Sequence, residues 1–200
     1  SAFLLTRSSD LSFPQSYDYL MEQYNKYKDT FDKLRSDYNF TSHDNGRCGL
    51  HFHVTRPSNE VVNRIILIME TYKEELIKFS RRDISTQQHW SKFYSDVVNE
   101  GYSMMAKGIK NEVNSIKFIE DNKRYMDRYM TLNNTNAKTI EFRLFRGTLN
   151  IDTFYSCLEL VNNIVKYASD LDRDVSTITW DLITSTPFVN DYVNKNNIHT

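Results

Sequence analysis

The segment 139–150, Thr-Ile-Glu-Phe-Arg-Leu-Phe-Arg-Gly-Thr-Leu-Asn, constrains this chain more than any other. Polar and apolar residues alternate through it, which predicts a strand whose side chains face opposite ways with a period of two. Ile140, Phe142 and Leu144 then share an apolar face that demands a core. Glu141, Arg143 and Phe145 share the other. At ~3.4 Å per residue, Glu141 and Arg143 stand about 7 Å apart. A carboxylate and a guanidinium side by side can hold a metal ion and a phosphate together, the first through its oxygens and the second through a bidentate fork. The alternative is a solvated ion pair worth ~0–1 kcal/mol.

A second strand is predicted over 48–56, Cys-Gly-Leu-His-Phe-His-Val-Thr-Arg. Leu50, Phe52 and Val54 make one face, His51, His53 and Thr55 the other, and Pro57 ends it. Two histidines at i and i+2 project in parallel. Neutral imidazole is a metal ligand and protonated imidazole an anion donor, so the pair suits a metal or a phosphate. Two surface histidines with local hydrogen bonds are the competing reading.

Helices are expected around these strands. Tyr17, Leu20, Met21, Tyr24, Tyr27, Phe31 and Leu34 recur at three-to-four spacing, predicting a helix over 16–38 with a core-facing aromatic stripe. Ser58 or Asn59 caps a second helix reaching Phe79, and Asp152 or Thr153 begins a third with a broad apolar side. Arg81 and Arg82 follow the second helix, where cations complement the macrodipole or reach phosphates. Residues 84–120, punctuated by Gly101 and Gly108, read as an insertion or lid. The polar Asn/Lys tail after Val189 is expected to fray.

The 200 residues read as a single domain, with 13 Tyr and 12 Phe supplying a core. A formal net charge of -1 gives no whole-chain field for nucleic acid or anionic lipid. No apolar run nears the ~20 residues of a membrane-spanning helix. Cys48 and Cys157 match no metal-binding spacing, and a reducing, cytoplasmic setting is the expectation.

Three segments together, 48–54, 128–133 (Arg-Tyr-Met-Thr-Leu-Asn) and 139–149, resemble the amidoligase family, distant relatives of glutamine synthetase that also occur in phages. The likeness spans roughly residues 40–165. It implies an α+β fold of glutamine-synthetase type: a curved, mainly antiparallel sheet with helices on its outer face and the site on the concave one. It implies an ATP-dependent carboxylate–amine ligase working through an acyl phosphate on small-molecule or peptide substrates, with Mg²⁺ or Mn²⁺. By that resemblance Glu141 and His51 bind metal, and Arg143 steadies the transferring phosphate. His53 faces nucleotide phosphate or substrate. Arg146, Arg56 and Arg82 are further phosphate or carboxylate candidates, and Tyr129 and Asn133 line the pocket.

The family's opening Glu-x-Glu strand has no counterpart here, and Asp10 and Asp18 are the available substitutes. The likeness therefore also implies either part of a longer protein or a catalytically inactive relative. The latter would be a viral interaction module that engages a host protein, in the host cytoplasm. A metal-dependent hydrolase using His51 and His53 ranks last, since no further His/Asp cluster accompanies them.

Overall fold

The structure, a computed structural model, describes residues 2–4, 15–42, 49–97 and 127–200. The antiparallel sheet runs in the order β2 (Gln15–Ser16), β1 (Ala2–Leu4), β3 (Gly49–Thr55), β5 (Thr139–Arg146), β4 (Leu132–Asn133). The fold is α+β, as the alternating polar and apolar segments require. Val54 pairs with Ile140 and Phe52 with Phe142, so two apolar faces become one continuous surface. All four side chains are buried. Burying one such side chain contributes about 1.5–3 kcal/mol.

Helices cover that surface. In α3 (Asn59–Thr71) the Ser58 hydroxyl accepts from Val61 N–H, and residues 61–69 are buried. Its apolar run continues into α4 (Lys73–Ser80), but not as the single helix expected to Phe79. The Thr71 hydroxyl bonds back to Leu67 O at 2.7 Å, a contact that bends helices. Tyr72 leaves helical geometry and ties its own hydroxyl to Ile178 O. Likewise 16–38 divides at Gln23 into α1 (Tyr17–Glu22) and α2 (Tyr24–Ser36). The aromatic stripe of α2 is half-buried rather than interior. Phe31 packs on Phe154 and Tyr24 on Tyr155.

Two short helices follow, α5 (Ile84–Trp90) and α6 (Tyr94–Val97). Most of the segment expected to be an insertion or lid lies outside the described residues, as do Asp10 and Cys48. The central helix α7 (Ile151–Ser169) starts where Asn150 accepts from Thr153 N–H at 2.8 Å. It lays Phe154 against Phe52 of the sheet. Cys157, on the same helix, is a buried free thiol, and burial pushes it well above the usual thiol range.

After α8 (Trp180–Ile183) the chain ends in α9 (Pro187–Asn196), opened by Pro187 in the first turn. The polar tail does not fray. Ile198 is buried and its carbonyl accepts from the Trp180 indole at 3.1 Å. Among the described residues no helix is long and apolar enough to cross a membrane.

Candidate functional site

The sheet face opposite the helices gathers the polar residues. His53 stands directly across from Glu141, and residues paired across two strands share a face. The spacing of two then brings His51 and Arg143 to the same side. Beyond this point the register slips: Phe52 faces Phe142, but Leu50 faces Phe145. One extra residue in β5 makes a bulge opposite His51. Phe145 is thereby turned away from Glu141 and Arg143, whose face strict alternation assigned it. It packs instead on Phe52 and Phe79.

Glu141 is the hub. Its Oε1 accepts from His51 Nδ1 and from Arg143 Nη1, each at 2.8 Å. His53 Nε2 lies 3.7 Å from the same oxygen. Oε2 accepts from the Asn133 amide at 2.8 Å, so β4 contributes to the cluster. The Glu141 side chain is about 10% exposed, and burial raises its carboxyl. The His51 and Asn133 hydrogen bonds and the charge of Arg143 outweigh that and hold it at about 2. His53 moves oppositely: burial pushes its imidazole down, Glu141 resists, and the charges of His51 and Arg143 add to the fall.

Arg143 has donors to spare. Its Nη1 bonds Glu141, and its buried Nε has no hydrogen-bond partner among the described residues. The guanidinium lies 6.0 Å from the Tyr129 ring. A second cation reaches the cluster from the end of α4. Arg82 Nη2 donates to Phe145 O at 2.9 Å, beside Gly49. A Cβ on Gly49 would stand 2.5 Å from Arg82 Nη2 and 2.8 Å from His51 Nε2, so the missing side chain is what admits both. Burial, with the charge of Arg143, brings Arg82 down to about 10, against the pull of Asp83.

Two proposed phosphate-binding arginines lie elsewhere. Arg56 follows the last residue of β3, and its fork closes on the 134–136 loop. Nη1 donates to Asn134 O and Asn136 O, and Nη2 to Asn59 Oδ1. Arg56 is a clasp between the ends of β3 and β5. Arg146 pairs with Gly49 at the far end of β5 and lines a separate cavity of about 730 Å³. Asp18, offered as a substitute carboxylate, is exposed in the first turn of α1.

The residues fit a metal poorly. Among those described, no group of three or more His, Cys, Asp or Glu side chains is placed to hold an ion. Mg²⁺ prefers an octahedron of oxygens, and Mn²⁺ also favours carboxylates. Glu141 is the cluster's one carboxylate and its oxygens already receive three hydrogen bonds, while His51 spends Nδ1 on it. Where a Mg²⁺ or Mn²⁺ ion between His51 and Glu141 is expected, the described residues form a hydrogen-bonded and ion-paired network centred on Glu141.

The chemistry this leaves is anion binding. Arg143 and Arg82 outnumber Glu141, and two imidazoles stand beside them. Gly49 went unrecognised in the sequence. The Gly-Leu before the histidines was a visible signal, but which side chain uses the space depends on where Arg82 arrives. Comparison with protein-family models, curated proteins and solved structures finds no match to this chain.

Proposed function

We propose that the shared face of β3 and β5 receives the phosphate or carboxylate of a small molecule, in a chain acting as an ATP-dependent carboxylate–amine ligase of glutamine-synthetase-like fold. One observation carries the reading: among the described residues Arg143 keeps a buried Nε without a hydrogen-bond partner beside a second guanidinium, Arg82, and the cluster's one carboxylate already accepts three hydrogen bonds. A phosphoryl oxygen arriving there meets donors that no side chain of the cluster satisfies. Charge-assisted contacts of this kind are roughly twice as strong as neutral ones.

In such a ligase the ATP γ-phosphoryl passes to a substrate carboxylate oxygen, leaving ADP and an acyl phosphate. The amine nitrogen then forms the amide bond as phosphate departs. Arg143 and Arg82 are suited to hold the transferring phosphoryl oxygens, a task of positioning and charge stabilisation. His53, neutral at pH 7 because burial lowers it, is suited to take the proton the amine releases. No step is assigned to a metal, for want of fitting ligands.

Calorimetric titration of ATP into the purified chain, with and without Mn²⁺, tests this. Saturable binding weakened at least about tenfold by Arg143→Met is expected. Silence with the wild type, or binding indifferent to Arg143→Met, overturns it. The silent result would support the non-enzymatic interaction module.

A further inference from the structure

We infer that the cavity of about 730 Å³ between the end of β5, the end of α4 and α9 is a second binding site, for a phosphate monoester carried on an apolar or aromatic body. None of His51, His53, Glu141, Arg143 or Arg82 lines it, so the inference stands apart from the ligase reading.

Its size falls in the range of small-molecule sites, about 300–1,000 Å³. Its lining carries four cations, Arg35, Arg81, Arg146 and Lys195, against two carboxylates, Asp152 and Asp191. Asp152 is engaged by the Tyr24 hydroxyl at 2.5 Å. Among the described residues none of the four cations forms a salt bridge. The surplus of two positive charges matches a phosphate monoester, which carries about −1.5 to −2 at neutral pH. Guanidinium forks suit its oxygens.

Two of the cations approach one point. Tyr192, buried on α9, donates its hydroxyl to Phe79 O and lies within the fields of both Arg81 and Arg146. Arg81 itself holds the left-handed conformation, φ 54° and ψ 23°, at the end of α4. Glycine is the usual residue there, and a bulky one marks a position where strain is tolerated for a purpose. An arginine at this turn aims a cation at the Tyr192 end of the cavity. Phe188, half-buried, and Phe40, exposed, supply apolar surface for the rest of the ligand.

The test is calorimetric titration of phenyl phosphate into the full chain, with phenol and inorganic phosphate as the two halves of the ligand. Phenyl phosphate is expected to bind more tightly than inorganic phosphate, and phenol not to bind. Arg81→Gly is the decisive variant, because glycine relieves the left-handed turn: thermal stability should hold or rise while affinity falls at least about tenfold. Arg146→Met should weaken binding similarly, and Arg143→Met should leave it unchanged. No saturable binding at millimolar phenyl phosphate overturns the inference. So do equal affinities in wild type and Arg81→Gly, or a loss in Arg143→Met matching that in Arg146→Met. If Arg143→Met abolishes ATP binding while phenyl phosphate fails, the ligase reading survives without this one.

Discussion

Replacing Glu141 by glutamine should make the pH dependence of stability flatter, by an amount the site geometry sets. The carboxyl is held at about 2 against an ordinary 4.5. At about 1.4 kcal/mol per pH unit this corresponds to about 3 kcal/mol of linked stability. The side chain is about 10% exposed, so solvent screens little of it. The sign follows from the depressed value. Stability from Glu141 is complete above pH 4.5 and is lost as pH falls through about 2, because the unfolded chain takes up the proton first.

Urea unfolding followed by circular dichroism, for wild type and Glu141→Gln at intervals from pH 7 to 2, reads this directly. Other carboxylates titrate in both proteins and cancel in the difference. The two should differ by about 3 kcal/mol at pH 7, where the variant leaves Arg143 without its counter-ion, and converge towards pH 2. A difference that stays constant between pH 5 and 2 would refute the hub role of Glu141.

His53 acts in a higher window. Its imidazole is lowered from 6.5 by burial, so protonation favours the unfolded chain and stability should begin to fall as pH drops below 6.5. His53→Gln should erase that first decline while keeping the later one, and a decline unchanged in the variant would sink the assignment. Gly49→Ala should cost about 1–2 kcal/mol by displacing Arg82 and His51. In an Arg82→Ala background the cost should shrink by at least about 0.5 kcal/mol, a coupling that a double-mutant cycle measures and that strict additivity would exclude.

The two strands that build the site were legible because each is a local alternation. Leu50, Phe52 and Val54 on one, with Ile140 and Phe142 on the other, force His51, His53, Glu141 and Arg143 to the opposite faces whatever the partner. The apolar faces of three helical stretches were legible through three-to-four spacing and capping residues, but the breaks at Gln23 and Tyr72 and the helical C-terminal tail were not. The bulge in β5 was not, since a bulge exists only relative to a neighbouring strand. Phe145 therefore changed faces without any mark in its own segment.

The arginines divide along the same line. Arg143 belongs to a strand and could be placed by counting. Arg82, Arg56 and Arg146 sit at ends of elements, where a change of chain direction decides which way a long side chain reaches. Arg82 arrives over Gly49 because Arg81 turns the chain through a left-handed residue. Arg56 closes on the 134–136 loop because that loop's carbonyls lie beside the end of β3.

The sequence by itself determined that an acid, a guanidinium and two imidazoles stand on polar strand faces over an apolar layer, since periodicity needs no partner. Tertiary structure alone decided that they meet around one buried carboxylate, that Arg143 pairs with it, and that a cationic cavity opens at the other end of β5. Those outcomes depend on distances between segments remote in the chain, and electrostatic energies change steeply over such distances.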